Sequence, residues 1–313
     1  MKTILENFTV RSPQMTDAER VTEFVATVDI DEFGFPDIEV QDVIDLWNEL
    51  SLTDDVWVIE TRSAPNQVVG YGFVEKTGEN RLYSSAFVHP NYRGKGIGSH
   101  LLQLIDTRAS EIKNSTQNSL TLDNVVPATN KDAINLVSGN GYHFHTLYQR
   151  MRIDMSELPE VVSPSEGLEI KPYQAERDSF ILHAAHQDSF QDTRGFTPVS
   201  FEDWMKQKTT INFDQSFWFV AYADNEVVGF IICKIFDGQD VYIDSLGVKR
   251  DYRKHGLGLA LINTVFREAF QRGNKTVLIS VDSDSLTKAN LLYEKAGFKT
   301  LFKVAMFQKE VAQ

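Results

Sequence analysis

Two short turns carry the residue types best suited to chemistry. RGKGIG (93–98) and RKHGLG (253–258) each set an arginine, further cations and at least two glycines between an apolar strand-like run and a helical pattern. Such a turn points backbone N–H groups at a common centre, and the following helix N-terminus adds positive potential, so an anion is the expected guest. Glycine lets the backbone approach that guest without a Cβ in the way. Arg93, Lys95, Arg253, Lys254 and His255 add local charge, which suits a pyrophosphate. Neither turn has the Gly-Lys-Ser/Thr end of a P-loop. The dinucleotide fingerprint also fails: Ser99 stands where the third glycine after Gly94 and Gly96 belongs, and the second turn lacks the first glycine. One such turn reads equally well as an ordinary strand–helix connection, so its recurrence carries the weight.

Candidates for proton transfer flank the second turn. Asp244 lies on the strand-like run before it, Asp240 further up that run, and Asp282 and Asp284 at the end of the next run. Tyr293, in LLYEKAGF, has a phenol that is protonated at neutral pH and able to donate. Taken singly, these residues read as turn, cap or core positions. His143-Phe144-His145 suggests alternation in a final strand before it suggests a metal site. Cys233, in GFIICKIF, is the single cysteine and reads as a buried thiol; an intramolecular disulfide and a cysteine zinc site are excluded.

The elements that must position these residues occur twice. Arg93 and Arg253 stand 160 residues apart, and FTVRSP (8–13) and LEIKPY (168–173) keep the same offset. WVIETRSAPNQVVGYGFVEK (57–76) answers WFVAYADNEVVGFIICKI (218–235), and NKDAINLVSGNGY (130–142) answers LTKANLLYEKAGF (286–298) with the offset reduced to 156. Four matching blocks indicate duplication. Leu257, Leu261, Val265 and Ala269 recur at four-residue spacing, which predicts one buried helix face. SELPEVVSPSEG (156–167) has linker chemistry. The expected division is therefore 1–155, a linker at 156–167, and 168–313, each copy an α/β domain with a mixed, partly parallel twisted sheet flanked by helices.

Composition narrows the function. The 313 residues are 42% hydrophobic and 24% charged, as in a folded chain, and the net charge is −13. That acidity argues against nucleic acid and anionic membrane surfaces and leaves room for a cationic substrate. No stretch suits a signal peptide or a membrane span, so a cytoplasmic location is expected.

The pattern R-x-x-G-x-G between strand and helix resembles the acyl-CoA pyrophosphate loop of the GNAT N-acetyltransferase superfamily. Val88-His89-Pro90-Asn91-Tyr92-Arg93 matches that family's V-x-P-x-Y-R run, and Val248 to Arg253 lacks only the proline. Ala289, Tyr293, Gly297 and Phe298 match its A-x-x-x-Y-x-x-x-G-F ending. HQDSFQDTRGFTPVSFEDWMKQ (186–207) is similar to a stretch of mycothiol-synthase-like tandem acetyltransferases, through Phe190, Asp192, Gly195, Pro198, Glu202 and Trp204. The resemblance implies two tandem GNAT-like domains, acetyl-CoA as acyl donor, and direct attack by a primary amine in a ternary complex.

By that resemblance, coenzyme A is held in the second copy by Leu246, Gly247, Val248, Arg253, Lys254, His255, Gly256, Leu257 and Gly258. In the first copy it is held by Val88, Arg93, Gly94, Lys95, Gly96, Ile97 and Gly98. Backbone N–H groups between Leu246 and Val248 would hold the acetyl carbonyl, aimed by a bulge or kink. Tyr293 is the expected acid and Asp244 the expected base. The first copy has Val137 in place of Tyr293 and no carboxylate matching Asp244, so it is expected to bind coenzyme A without turnover. Asp188, Asp192, Glu202 and Asp203 would suit a cationic amine, and Phe190, Phe196, Phe201 and Trp204 either wall a pocket or pack the core. The alternative function is a non-catalytic acyl-CoA-binding sensor or scaffold.

Overall fold

A computed structural model describes residues 4–63, 67–116, 119–191, 193, 196–210, 212–236, 239–283 and 288–311. Asp192, Gly195 and Asp284 lie outside the described residues. The chain packs as two units, Met1–Leu147 with Lys303–Gln313, and Tyr148–Phe302. The division expected from the sequence is therefore not the division of the packing. The packing boundaries fall within the strand His143–Asp154, after Leu147, and within the strand Lys299–Glu310, before Lys303.

In chain order the first half runs α1 (Ile4–Asn7), β1 (Phe8–Arg11), α2 (Ala18–Phe33), α3 (Val40–Glu49), β2 (Val56–Thr61), β3 (Val68–Lys76), β4 (Arg81–Val88), α4 (Ile97–Asn114), β5 (Thr121–Pro127), α5 (Lys131–Gly139) and β6 (His143–Asp154). The second half runs β7 (Leu168–Pro172), α6 (Ala175–Phe190), α7 (Phe201–Lys208), β8 (Phe219–Ala223), β9 (Glu226–Phe236), β10 (Asp240–Val248), α8 (Leu257–Arg272), β11 (Thr276–Asp282), α9 (Ala289–Lys295) and β12 (Lys299–Glu310).

The strands of the two units follow one pairing pattern. In unit 1, β1, β2, β3 and β4 pair antiparallel in order, β4 pairs β5 in parallel, and residues 304–310 of β12 pair antiparallel to β5. In unit 2, β7, β8, β9 and β10 pair antiparallel, β10 pairs β11 in parallel, and residues 148–154 of β6 pair antiparallel to β11. One face of unit 2 packs on α8 and α9, with Leu257, Leu261, Val265 and Ala269 all buried, as their spacing predicts. The other face packs on α6 and α7 around Trp204, Trp218 and Phe230.

The repeated Val-Gly pairs have a packing cause. A Cβ on Gly229 would come within 3.1 Å of Leu257 Cδ2, so glycine lets the first turn of α8 settle onto β9. Gly70 plays the same part under Ile97. Residues 156–167 are fixed against unit 2 rather than slack. Asn263 on α8 accepts from Val162 N at 2.9 Å and donates to Glu160 O at 2.8 Å, and Ser165 Oγ donates to His255 O at 2.7 Å. Among the described residues no helix is long and apolar enough to cross a membrane.

Candidate active site

Both glycine turns adopt the same backbone. Gly94 and Gly96 have φ of 73° and 84°, and Lys254 and Gly256 have 67° and 80°. A lysine in the left-handed region costs on the order of 1 kcal/mol, so the second turn keeps its shape against local preference. Helices α4 and α8 start directly after, at Ile97 and Leu257, with their first N–H groups at the turn. Gly98 and Gly258 serve a different purpose. A Cβ on Gly258 would meet Leu292 Cδ2 at 2.9 Å, so this glycine seats α9, and with it Tyr293, against α8.

The motif arginines act as braces. Arg253 donates to Val248 O at 2.9 Å and to Ser189 O at 3.2 Å, tying the end of β10 to the end of α6. Arg93 is ion-paired to Asp31 at 2.8 Å and Glu32 at 2.7 Å on α2. Those carboxylates oppose a second anion at the unit 1 turn. Lys254 and His255 are exposed at the unit 2 turn.

The units differ most where the parallel strands part. In unit 2 the β10–β11 pairing covers only Val241 to Ile243, and the β9–β10 register slips between Ile243 and Ser245, leaving Asp244 as a bulge. Beyond the bulge, among the described residues, β10 stays paired to β9 alone. Lys249 N donates to Val228 O, so by ladder alternation the N–H groups of Leu246 and Val248 face the opening towards β11. In unit 1 the pairing of β4 with β5 runs from Arg81 to Ser85, and the β3–β4 register has no slip. Ser84, the counterpart of Asp244, is fully buried; its Oγ donates to Asp123 O at 2.8 Å and accepts from Asn124 Nδ2 at 2.9 Å. These bonds stitch the strands together. Phe87 stands where unit 2 has Gly247, and stacks on Tyr71 at 5.9 Å.

Asp244 is not a free base. Lys208 Nζ donates to its Oδ2, as does Ser245 Oγ at 2.7 Å. Burial alone would raise its pKa, but the Lys208 ammonium and these hydrogen bonds, with Lys234 beyond, hold it below the usual carboxylate range. Tyr293 is buried, and burial raises its phenol further, with Tyr242 and Cys233 adding to the effect. No hydrogen bond to the Tyr293 hydroxyl contributes among the described residues. Val137, its counterpart, is an ordinary core residue. Burial also raises Cys233, which stays an inert thiol.

The sequence does not reveal the wall opposite β10. His186, Gln187 and Ser189 on α6, Trp204 on α7, and Ser283 just past β11 each bury a side-chain polar atom without a hydrogen-bond partner among the described residues, all within unit 2. Buried polar groups are otherwise nearly always paired, so each such atom calls for water or a guest. Burial pushes the His186 imidazole down to about 4; Lys208 lowers it further and Asp244 opposes. Trp204 is core, whereas Phe201 stacks on exposed Phe180 at 3.9 Å. Ser189 also limits Gly247: a Cβ there would overlap the Phe230 ring and meet Ser189 Cβ at 3.0 Å. Gly247→Ala is expected to cost about 1–3 kcal/mol in urea unfolding of unit 2 through overpacking.

Comparison with known proteins agrees with this geometry. The model described as Acetyltransferase (GNAT) family matches residues 175–298, and that described as Acetyltransferase (GNAT) domain matches residues 53–144. The chain belongs to the GNAT acetyltransferase family. It is a tandem member and an acetyltransferase enzyme. Relatives include a mycothiol acetyltransferase of Amycolatopsis mediterranei, 26% identical over 74% of this chain and 77% of that protein. Another, of Thermobispora bispora, is 28% identical over the same shares. The fold matches a GCN5-related N-acetyltransferase from Sphaerobacter thermophilus at TM-score 0.88 and 24% identity, covering 98% of this chain and 96% of that one. It also matches a tandem GNAT protein from the clavulanic acid biosynthesis pathway, at TM-score 0.70 and 14% identity, covering 98% and 99%.

Proposed function

We propose that the protein transfers acetyl from acetyl-CoA to a primary amine by direct attack in a ternary complex, with the chemistry in unit 2. The observation that carries this is the seam between the parallel strands, open at the Asp244 bulge in unit 2 and stitched by Ser84 in unit 1. The turn at 253–258 and the first N–H groups of α8 suit the pyrophosphate. The orphaned polar atoms of α6 and Ser283 suit a guest lying in the opening. Acetyl-CoA supplies the activated thioester. The N–H groups of Leu246 and Val248 are oriented to hold a developing oxyanion, and Tyr293 keeps a proton for the departing thiolate. Asp244 is held by Lys208 and Ser245, so the amine's proton is lost to water before attack. The relatives called mycothiol acetyltransferases support acetyl as the group moved.

Unit 1 keeps the turn but sets Asp31 and Glu32 against Arg93, which weakens its hold on a pyrophosphate. Calorimetric titration with acetyl-CoA is expected to give one tight site per chain. The double substitution Asp31→Asn, Glu32→Gln is expected to add a second. Thiol release over an amine panel tests turnover. Absence of acetyl-CoA binding, or of release with every amine, overturns the function; two equal sites in the unaltered protein overturn the role given to Asp31 and Glu32.

A further inference from the structure

We propose that Ser165, in the segment between the two repeats, is a positioning residue for the donor: by holding the carbonyl of His255 it keeps the 253–258 turn in its anion-binding shape. This rests on the reading of that turn as the seat of the acetyl-CoA pyrophosphate. The segment lies along α8 as a strap. Arg267 donates to Pro159 O near its start, and Asn263 donates to Glu160 O at 2.8 Å and accepts from Val162 N at 2.9 Å. Ser165 Oγ then donates to His255 O at 2.7 Å. Fully extended, the chain from Pro159 to Ser165 spans about 20 Å. Helix α8 takes up roughly 15 Å between Arg267 and Leu257, and the turn lies beyond. The strap therefore reaches the turn with little slack. Its far end is fixed as well: Leu168 N donates to Ser165 O at 3.1 Å across a tight turn with Gly167 at φ 83°. The Ser165 hydroxyl is thus in place before the donor arrives.

A peptide unit is planar and trans, so its C=O and N–H point opposite ways. Fixing His255 O on the strap side therefore fixes the Gly256 N–H on the other. That N–H donates to no group among the described residues. Lys254 at φ 67° and Gly256 at φ 80° flank His255, the kind of alternation that makes a concavity of N–H groups for an anion. Without the brace this peptide can turn over, because Gly256 accepts either sign of φ and Lys254 gains by leaving the left-handed region. Unit 1 supplies the contrast. Its turn has Gly94 where unit 2 has Lys254, and glycine adopts this backbone without strain. Lys95 O, the counterpart of His255 O, accepts no hydrogen bond among the described residues. The brace is found where the turn is strained.

The test is a double-mutant cycle on the full-length protein, with acetyl-CoA as the probe in calorimetric titration. Ser165→Ala is expected to weaken the tight site about three- to tenfold, the worth of one hydrogen bond. Ser165→Thr keeps the hydroxyl and is expected to stay within about twofold of the unaltered protein. In a Lys254→Gly background, the further change Ser165→Ala is expected to cost less than about twofold, because glycine holds the turn unaided. Each comparison is between proteins that share residue 254, so the charge of Lys254 cancels. A serine that merely stabilised the fold would cost the same in both backgrounds. Unchanged affinity in Ser165→Ala overturns the proposal, and so does an equal loss in both backgrounds. Absence of acetyl-CoA binding by the unaltered protein overturns the reading of the turn, and the brace with it.

Discussion

Tyr293→Phe is expected to lower kcat by about 10²-fold or more, the usual worth of a positioned general acid, while acetyl-CoA affinity stays within about twofold. The substitution removes one atom. Among the described residues no hydrogen bond to the phenol enters its proton balance, so the folded protein loses no internal bond and its melting temperature should barely move. The ring keeps its edge contact with Phe298, centroids 5.8 Å apart. A rate loss without a stability loss separates a proton donor from a packing residue. Burial lifts the phenol's pKa, so the tyrosine remains protonated across the working range and the alkaline limb of the rate profile should belong to another group. Equal thiol-release rates for Tyr293→Phe and the unaltered enzyme with a true acceptor would remove Tyr293 from the mechanism.

The second large effect is on stability below neutrality. His186 titrates near 4 in the folded protein and near 6.5 when unfolded. Between those values the unfolded chain takes up a proton that the folded chain refuses, so acid favours unfolding. Unit 2 should be insensitive above about pH 6.5 and lose up to about 3 kcal/mol by pH 4 from this group. Urea unfolding of unit 2 at steps between pH 7.5 and 4.5 measures it, and His186→Asn should flatten the slope whatever it does to stability at neutral pH. The comparison must be a difference between the two proteins, because His89 and His100 are also lowered by burial and add a slope of their own. Asp244 titrates outside this window. Its depressed pKa contributes stability that is present above the unfolded carboxylate value and lost as pH falls through the folded one. An equal slope in His186→Asn would mean that the imidazole is not held neutral.

The duplication, the two glycine turns and the buried face of α8 were legible because they depend on local spacing. Even the replacement of Gly94 by Lys254 left the turn recognisable, and the structure holds the lysine in the left-handed region. What escaped the sequence depends on register. The resemblance implies a bulge or kink near Leu246 to Val248, but only the register between β9 and β10 puts the slip at Asp244. Ser84 looks interchangeable with any small polar residue until Asp123 and Asn124 are placed beside it. The pairings of β12 with β5 and of β6 with β11 join residues far apart in sequence and leave no local trace. Residues 156–167 have linker composition, but their bonds to Asn263 on α8 are tertiary and leave no mark in the sequence.

The stitch at Ser84 bears on how a doubled gene divides its labour. An enzyme's working cleft is a standing expense of folding energy, with polar atoms left unmet and strands held apart. A single-copy protein must carry that deficit in the same core that keeps it folded. Once a second copy exists, a hydroxyl that closes its seam relieves that copy of the deficit. Selection can then treat one half as ballast and let the other drift towards a looser, more reactive cleft.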